Sequence, residues 1–534
     1  MSILASITLK QVGSQYSCSE CSVAYSNRTH KESQQERNKN INNEKLQRNP
    51  NHLDEINPLL ALLLKTNSPR NVEIKRQALS AISALGYEFW AQTLCLGLWF
   101  HRSHLQEPNP RFTYTSTLAV GRAGAYKLTK RNMSSKSYPA NPCLATSDAH
   151  IKLFNVAEYG AIADGKEDNS VAFLKAWSDA CKWNGSATVL IPKGTYMLKS
   201  VIFKGPCNDS ITFQIKGVLK APIDPSLLTD QKWINFRYID QLNVNGGGTL
   251  DGQGSATRRK CKNNANCEIL FTTMDFDFIT NGHVQNLHSI DSKGGHFIVF
   301  GCENMTFTDL TLKSPEHNRN TDGIKIAQTN GINITSVKIG TGDDCVAMIS
   351  GTKNAWISNV VCGPGHGISV GSLGKNDGET DVEDIVVKNC TFVGTSNGLR
   401  IKTWAAPLKK TLNASNFVYE DIVMNSVQNP IVIDQQYCPL HQCDLKEISH
   451  VQISNVTYRN IRGSSETDIA VNFNCSKDKP CQKITLDNIN LWRYGVRGKG
   501  RPLLRNNCFK VEGASYGKQT PPSCIAHRAT PLST

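Results

Sequence analysis

Apolar residues along the C-terminal part of the chain recur in groups of three, separated by a gap of three positions and then a gap of two. Seven such groups are Phe307/Leu310/Leu312, Ile334/Val337/Ile339, Ile357/Val360/Cys362, Val387/Cys390/Phe392, Tyr419/Ile422/Met424, Ile453/Val456/Tyr458 and Leu486/Ile489/Leu491. Inward-facing residues of a straight strand lie two positions apart, so the gap of three requires a corner within each group. Consecutive corners lie 23 to 34 residues apart, which suits one turn of a coiled-repeat fold.

The residue just before the second member of each group is Asn or Asp in all groups but one. These corner residues are Asp309, Ser336, Asn359, Asn389, Asp421, Asn455 and Asn488. Asn and Asp adopt the left-handed backbone conformation that a sharp corner needs. The pattern predicts an all-β fold, a single-stranded right-handed parallel β-helix (a solenoid), with a β-sandwich of evenly spaced turns as the alternative.

Ahead of these repeats the spacing of apolar residues becomes helical. Within 170–183 the apolar residues at helix spacing are Val171, Phe173, Leu174 and Trp177. Asn169 or Ser170 can serve as the N-cap. Short strands follow, beginning with 188–192 and 210–215. We therefore expect a short helix to cap the N-terminal end of the β-helix, which begins near Ile151.

The first 150 residues read differently from the rest. Residues 31–52 are polar and typical of disorder, whereas residues 53–99 contain short helical-looking apolar pieces. The start of the chain lacks the basic and apolar regions of a clear signal peptide. Cys18 and Cys21 form one CxxC pair, which is weak evidence for a metal site without a second pair. We predict two regions: 1–150, a poorly ordered, partly helical extension of unknown role or a gene-prediction artefact, and 151–534, the β-helix domain.

Composition bears on compartment and partners. The eighteen cysteines include the close pairs Cys261/Cys267, Cys438/Cys443, Cys475/Cys481 and Cys508/Cys524. Their spacings vary, so disulfides in an oxidising compartment are favoured over zinc ligation. The net charge of +14 suits an acidic polymer, although a soluble basic surface explains it equally well. No apolar run is long enough to span a membrane. Acceptor sequences for N-glycosylation begin, among others, at Asn208, Asn304, Asn413 and Asn455.

The candidate chemistry lies between Asn320 and Lys402. Four short motifs, NTDG, GDDC, GHG and RIK, follow one another at intervals of about one coil. The first two contain three carboxylates and the last two contain a histidine and two cations. The residues are Asp322, Asp343, Asp344, His366, Arg400 and Lys402. Stacked strands are about 4.8 Å apart, so these groups would form a ladder on one wall. Hydrolysis of a glycosidic bond needs one protonated and one ionised carboxyl group. Because close, buried carboxylates repel one another, we expect one of the three to have a raised pKa.

Both adjacent aspartates can face the same cleft only if the chain bends there. Neighbouring residues of a strand point to opposite sides, and the glycines Gly340 and Gly342 make a bend possible. Arg400 and Lys402 share one side of their strand, where an Arg fork beside a Lys charge suits the carboxylate of a uronic acid. An acidic pair in a solvated turn and a surface pair of cations are the alternatives.

NTDG, GDDC, GHG and RIK, in this order and spacing, resemble the signature of the polygalacturonases, the pectin-cleaving glycoside hydrolase family 28. The resemblance covers about residues 151–534 and is similar to the plant branch, most of all to pollen-type exopolygalacturonases. It implies inverting hydrolysis of α-1,4-galacturonosyl bonds, with exo action favoured over endo action. Asp343 would be the proton donor, Asp322 and Asp344 would hold and activate water, and His366 would sustain protonation of the acid or position substrate.

The same resemblance implies the remaining site residues. Arg400, Lys402, Tyr437 and Asn320 would bind substrate. The implied disulfides are Cys345–Cys362, Cys475–Cys481 and Cys508–Cys524. No metal or cofactor is implied. Members of the family usually begin with a secretion signal just ahead of the position of Ile151, where this chain has an unrelated extension. Secretion to the cell wall is therefore expected from the cysteines and the family.

Two other functions remain possible on the same fold. A pectate lyase would need Ca²⁺ and a base and would yield unsaturated products, and a non-catalytic wall protein would bind pectin without turnover. The intact motifs argue against the second. We expect an acidic polysaccharide as partner, with no nucleic acid, no membrane span and a monomeric state. Exo or endo action depends on loops that the pattern does not reveal.

Overall fold

A computed structural model describes residues 10–12, 15–17, 151–229, 231–262, 271–439, 447–495 and 504–528. The chain divides into two compact units, Met1–Tyr138 and Pro139–Thr534. In the first unit the described strands, Lys10–Val12 and Gln15–Ser17, pair in antiparallel fashion. The predictions of disorder and helix for residues 31–99, and those for Cys18 and Cys21, lie outside the described residues. No described helix has both the length and the apolarity needed to cross a bilayer.

The second unit is a right-handed parallel β-helix whose coils stack in register. One wall, called here the cleft sheet, has eleven strands: Val201–Lys204, Lys232–Arg237, Thr272–Asp277, Phe297–Phe300, Ile324–Ala327, Val346–Met348, Ile368–Leu373, Asn397–Trp404, Asn429–Tyr437, Ile469–Asn474 and Arg505–Phe509. Every pairing between neighbours in this sheet is parallel. Each strand of this wall therefore marks one turn of the helix.

The other walls belong to one continuous sheet of twenty strands, called here the wrapped sheet. Its strands are Lys152–Asn155, Asp164–Asp168, Ala187–Ile191, Thr195–Met197, Ile211–Ile215, Val218–Lys220, Leu242–Asn245, Thr249–Asp251, His283–Ile290, Glu303–Lys313, Asn330–Thr335, Lys338–Gly340, Lys353–Ser358, Val361–Cys362, Val382–Lys388, Thr391–Val393, Leu412–Val427, Val451–Ser465, Cys481–Arg493 and Val511–Thr520. Several of these strands run through a corner without interruption. The corner thus divides the sheet into two walls.

Inward side chains of successive coils stack into columns that form the core. In the cleft sheet one column is Phe297, Ile324, Val346, Ile368 and Leu399, each paired with the next and each fully buried. Fully burying such a side chain contributes about 1.5–3 kcal/mol. Because the same position repeats in every coil, burial of the column fixes the register of the wall.

The predicted corners adopt the left-handed conformation. All seven predicted corner residues have φ between 52° and 57°. A second line of corners runs parallel to the first. It contains Asn304, Asn354, Asp384 and Asn416, also with positive φ. Amide side chains bond along these lines, as in the 2.6 Å bond from Asn389 to Asn359.

The group Ile453/Val456/Tyr458 was assigned to the wrong corner. Asn455 lies in register with Asn416, on the second line, because the flanking pairs are Ser415 with Ser454 and Phe417 with Val456. The residue that continues the line of Asp421 is Asn460, with φ 53° and a 3.0 Å bond from its Nδ2 to Asp421. Both corners have the same local pattern, an Asn before an apolar residue, so the sequence did not separate them.

The predicted helix runs from Ser170 to Cys181. Asn169 is its N-cap residue, but the Asn169 side chain does not bond to a backbone N–H of the helix. Phe173 and Trp177 are buried against the first coils, where Trp177 packs 5.1 Å from the ring of Phe203. Val171 and Leu174 face solvent, so their assignment to the apolar face was wrong. The other described helices are Gly254–Cys261 and the 3-10 turns Val156–Tyr159 and Pro225–Leu227.

Four disulfides join described residues. They are Cys181–Cys207, Cys345–Cys362, Cys475–Cys481 and Cys508–Cys524. The last three are the pairings that the family resemblance implies, and the first was not predicted. Cys267 and Cys443, members of two further predicted pairs, lie outside the described residues. Disulfides at both ends and in the middle of the β-helix suit an oxidising compartment.

Candidate active site

Four successive strands of the cleft sheet position the candidate residues. Asp322, Asp344 and His366 each lie two residues before a strand, and successive turns are joined there by backbone bonds, from Gly323 N to the Asp344 carbonyl and from Cys345 N to the Gly367 carbonyl. A carboxylate oxygen of Asp343, one of Asp344 and a ring nitrogen of His366 lie within 4.8 Å of one another. The coil spacing predicted from the sequence therefore brings these groups together.

A tight bend lets both adjacent aspartates serve one cleft. A side chain at Gly342 would approach the Asn318 carbonyl oxygen to 2.2 Å, so glycine is required at this position. The Thr321 hydroxyl accepts a 2.9 Å bond from Gly342 N, and Asp344 N donates to Asp343 Oδ1 at 2.8 Å. The bend therefore places the carboxylates of Asp343 and Asp344 side by side. We expected a bend here from the neighbouring glycines.

Asp343 is the most accessible of the three carboxyl groups. Its side chain is 20% exposed, against 8% for Asp322 and 3% for Asp344. His366 Nδ1 lies 3.0 Å from Asp343 Oδ1. Burial acts to raise the pKa of Asp343, but the hydrogen bond and charge of His366 outweigh it and lower this pKa to about 2. The two groups thus form a pair that can hold one proton between them.

Asp344 is locked in its ionised form. Arg400 Nη2 donates to Oδ1 at 2.7 Å, Ser369 Oγ donates to the same oxygen at 2.7 Å, and Lys402 Nζ donates to Oδ2 at 2.8 Å. Burial alone would raise the pKa of Asp344, but the charges of Arg400 and Lys402 hold it below its usual range. Both cations that the sequence assigned to substrate thus also neutralise a buried carboxylate.

Asp322 is the carboxyl group with the raised pKa. Burial of this carboxyl group, together with repulsion from Asp343 and Asp344, outweighs its ion pair with Lys325. We expected one of the three carboxyl groups to have a raised pKa. That group is Asp322 and not Asp343, the residue assigned as proton donor. The pKa values of the two groups differ because the hydrogen bond and charge of His366 stabilise the anion of Asp343.

Sequence reasoning missed Lys325 and Ser369. Lys325, Ala347, Ser369 and Arg400 pair in succession and form one outward-facing column of the cleft sheet. The sequence alone indicates that Lys325 faces outward, because it lies between Ile324 and Ile326, which alternate with it and face the core. Ser369 also receives a 3.0 Å bond from Arg400 Nε, which fixes the guanidinium beside Asp344.

Tyr437 lies at the edge of the site. Asn320 makes no side-chain hydrogen bond to the other site residues. Lys402 Nζ is 5.3 Å from the centre of the Tyr437 ring, and Trp404 packs edge-on against the same ring at 5.6 Å. Burial raises the pKa of Tyr437, so its phenol stays neutral. Asn320 is exposed with φ 58°, and no hydrogen bond joins its side chain to another described residue.

The cluster of Asp343, Asp344 and His366 has the residue types of a metal site. However, both oxygens of Asp344 already accept bonds from cationic groups, and Asp343 already pairs with His366. A further cation would have to displace these partners. The donor set is therefore a poor fit for a divalent metal ion.

A parallel β-helix that gathers three carboxyl groups on one wall defines the class of protein, a β-helical glycoside hydrolase. The sequence profile of Glycosyl hydrolases family 28 matches residues 181–503. An exopolygalacturonase of Platanus acerifolia is 44% identical over 372 residues, which span 69% of this chain and 97% of the relative. A polygalacturonase of Gossypium barbadense is 43% identical over 371 residues, spanning 69% of this chain and 89% of the relative. The chain belongs to glycosyl hydrolase family 28.

Solved structures support the fold. An endo-xylogalacturonan hydrolase from Aspergillus tubingensis superposes with a TM-score of 0.56 at 20% identity, covering 71% of this chain and 100% of that one. An exopolygalacturonase from Thermotoga maritima superposes with a TM-score of 0.52 at 17% identity, covering 64% and 88%. At these identities the likeness concerns the β-helix and not the specificity.

Proposed function

We propose that the protein is a polygalacturonase that hydrolyses α-1,4-galacturonosyl bonds of pectin with inversion, acting from the chain end. The observation that carries the proposal is the cluster of Asp322, Asp343 and Asp344 beside Arg400 and Lys402 on one wall of the β-helix. Membership of family 28 and the exopolygalacturonase among its relatives support both the reaction and the exo mode.

In this proposal the pair of Asp343 and His366 supplies the proton. Asp343 is the carboxyl group most open to the cleft, so it can reach the glycosidic oxygen of a bound chain. Its low pKa in the free protein does not exclude this role, because the 3.0 Å contact lets the imidazolium return a proton to the carboxylate. Cleavage of the bond transfers that proton to the leaving sugar oxygen.

Asp344 and Asp322 hold and activate the attacking water. Asp344 is kept ionised by Arg400 and Lys402, so it can accept a hydrogen bond from water at any pH above its lowered pKa. Asp322 can accept the proton of that water once it has lost its own, and its raised pKa makes it a stronger base. Water attacks the anomeric carbon from the face opposite the leaving oxygen, which inverts the configuration.

Arg400, Lys402, Tyr437 and Asn320 bind the substrate. The two cations neutralise Asp344 with one part of their charge and present their remaining N–H groups to the cleft, where a galacturonate carboxylate provides matching acceptors. The Tyr437 ring beside Lys402 offers a flat surface for the adjoining sugar. A uronic acid polymer therefore meets positive charge next to the cleaved bond.

Three further features belong to the proposal. Residues 151–534 form the polygalacturonase domain, and residues 1–150 are an extension of unknown role. The protein is secreted to the cell wall, as the disulfides and the family favour. It acts as a monomer.

Asp343→Asn tests the reaction. The amide cannot donate a proton to the leaving oxygen, so release of reducing sugar from polygalacturonate should fall by about 10² to 10⁴. The variant loses the stabilising pair with His366, so its unfolding midpoint should fall, but a single cooperative transition above the assay temperature shows that the fold survives. Unchanged activity in a folded variant would refute the assigned role.

Product sizing on a defined oligogalacturonide tests the mode. Exo action predicts monomer from the first turnover, whereas internal cleavage yields intermediate lengths. Unsaturated, ultraviolet-absorbing products that vanish with a chelator would identify a lyase instead. Binding of polygalacturonate without any product would identify a non-catalytic wall protein.

A further inference from the structure

The wrapped sheet carries an open groove that the proposed reaction does not use. Its volume is about 610 Å³, and the residues that line it include Asn304, Asn333, Asn354 and Trp356 but no Asp, Glu, Lys or Arg. The groove lies on the wall formed by the strands Asn330–Thr335 and Lys353–Ser358, whereas the catalytic groups lie on the cleft sheet. Amides around an indole ring form a surface that suits sugars, and His283 is the one titratable side chain in its lining.

Asn333 begins an acceptor sequence for N-linked glycosylation, Asn333-Ile334-Thr335. The strand places Ile334 in the core, fully buried, and turns Asn333 outward to solvent. The side chain of Asn333 has no hydrogen-bond partner among the described residues. Its amide is therefore exposed at the groove and makes no bond to another described residue.

Most other acceptor asparagines of the described chain already donate a side-chain bond, whereas Asn184, in Asn184-Gly185-Ser186, accepts one from Asn208. Their side-chain bonds are Asn208 to the Lys182 carbonyl at 2.9 Å and to Asn184 at 2.9 Å, Asn304 to Asn281 at 3.2 Å, Asn389 to Asn359 at 2.6 Å, Asn413 to Asp381 at 3.1 Å and Asn455 to Asn416 at 2.8 Å. The side chain of Asn474 bonds to Asp434. Most of these bonds hold neighbouring coils together. A modification at Asn333, as at the exposed Asn184, displaces no donated bond of the fold, and of these two Asn333 is the one paired in register with an exposed tryptophan.

Trp356 lies directly beside Asn333 on the next coil. The two residues are paired in register, so their side chains stand about 4.8 Å apart on the same face. The Trp356 side chain is 47% exposed, which leaves a large apolar surface in water. Burial of such an apolar surface is favourable, so a group attached at Asn333 would be stabilised by covering the ring.

We propose that Asn333 carries an N-linked glycan whose first sugar packs on Trp356 and fills the groove. In the modification the Asn333 Nδ2 loses a proton and forms a bond to C1 of the sugar. The leaving group is the diphosphate of a polyprenyl-diphosphate-linked oligosaccharide, the donor used in the secretory pathway. This inference rests on the proposed secretion and is independent of the proposed catalysis.

Site mapping tests the attachment. The full chain is placed behind a cleavable secretory leader and expressed in plant cells, so that entry into the secretory pathway does not depend on its own N-terminus. Enzymatic release of glycans in heavy-oxygen water then marks every occupied asparagine for peptide mass spectrometry. We expect the peptide of Asn333 to be marked and that of Asn304, in the same groove, to be unmarked. Secreted protein with unmodified Asn333 would overturn the inference.

Trp356→Ala tests the packing, with Trp492→Ala as the matched control because Trp492 is 46% exposed and belongs to no acceptor sequence. On folded protein, a glycosidase should release the Asn333 glycan several-fold faster from Trp356→Ala than from the control. Equal rates would show that the glycan does not cover Trp356. Asn333→Gln should retain wild-type activity on polygalacturonate, since the groove lies on a different wall. If the chain expressed without the added leader carries no glycans, the proposed secretion is refuted. The glycan mapping on protein expressed with the leader remains valid in that case.

Discussion

Two buried aspartates on the cleft sheet have opposite electrostatic states. Asp344 is 2% exposed and accepts bonds from Arg400, Lys402 and Ser369, which hold its pKa below the usual range. Asp275 is 1% exposed, and neither of its oxygens has a hydrogen-bond partner among the described residues. Burial therefore raises the pKa of Asp275 to about 8.

The difference arises from the neighbours and not from depth. Asp275 lies two strands before Lys325 on the same face of the sheet, and its nearest cation, Lys232 Nζ, is 3.8 Å away. Lys232 instead bonds to Asp277 at 2.6 Å. Asp344 stays charged because two cations from later coils bond to it directly, whereas Asp275 is neutral because its nearest cation bonds to Asp277 instead.

The largest expected effect follows from removing the charge of Asp344. Asp344→Asn leaves Arg400 and Lys402 buried without a counter-charge, so we expect destabilisation of about 3–5 kcal/mol and loss of most activity. Urea unfolding and reducing-sugar release measure the two effects. Asp277→Asn is the matched control, because its partners Lys232 and Arg237 are 29% and 26% exposed and can turn to water. Equal destabilisation by both variants would contradict the comparison.

The pH dependence of stability should separate the two aspartates. Asp344 and Asp343 have depressed pKa values, so the stability they provide is present above pH 4 and is lost as the pH falls toward 2. Asp275 has a raised pKa, so stability is lost as the pH rises from about 4 to 8, by at most about 1.4 kcal/mol per pH unit. Asp275→Asn should reduce that loss of stability at neutral pH, to which the raised pKa of Asp322 also contributes, and leave the loss at acidic pH unchanged. Unfolding midpoints across pH 2–9 give the answer, and an unchanged neutral slope would exclude a buried, neutral Asp275.

Corner residues should have a smaller effect that is independent of charge. Asn460→Ala places in the left-handed conformation a residue that tolerates it less than asparagine, and it removes the bonds to Asp421 and from Asn488, so we expect a loss of about 1–2 kcal/mol. Asn460→Gly keeps the conformation easily accessible and loses only the side-chain bonds to Asp421 and from Asn488, so it should be the milder change. Urea unfolding of both variants measures the difference. Equal losses would mean that backbone conformation contributes little at this corner.

Surface ion pairs on the wrapped sheet should show the smallest effect. Lys353 Nζ lies 2.9 Å from Glu383, with both side chains partly open to water. Lys353→Met should change the free energy of unfolding by less than about 1 kcal/mol, since exposed pairs gain little over solvation. A loss as large as that of Asp344→Asn would show that burial does not distinguish the two walls.

Much of the fold could be predicted because each coil repeats one local rule. The gap of three followed by two located the corners, and left-handed Asn or Asp residues occupy them. The error at Asn455 arose because two lines of corners share the same local pattern. Val171 and Leu174 fit a helical stripe yet face solvent, because the helix Ser170–Cys181 packs on one narrow side.

The candidate site was also partly visible in the sequence. The spacing of Asp322, Asp344 and His366 placed them on neighbouring turns, and the glycines around Asp343 indicated the bend. Sequence alone could not assign protonation, because that depends on which cation reaches which carboxylate across coils. Lys325 and Ser369, which pair with Asp322 and Asp344, became visible as partners in the folded register.

The sequence by itself determined the stacked-coil architecture, the order of the motifs and the family, since these follow from short-range periodicity and residue type. Tertiary structure decided that Asp322 has the raised pKa, that Arg400 and Lys402 neutralise Asp344, and that Asn333 stands free beside Trp356. The physical reason is that a side chain in a β-helix meets its partners one coil away, some 20 to 40 residues along the chain. Local sequence does not encode which of those partners it meets.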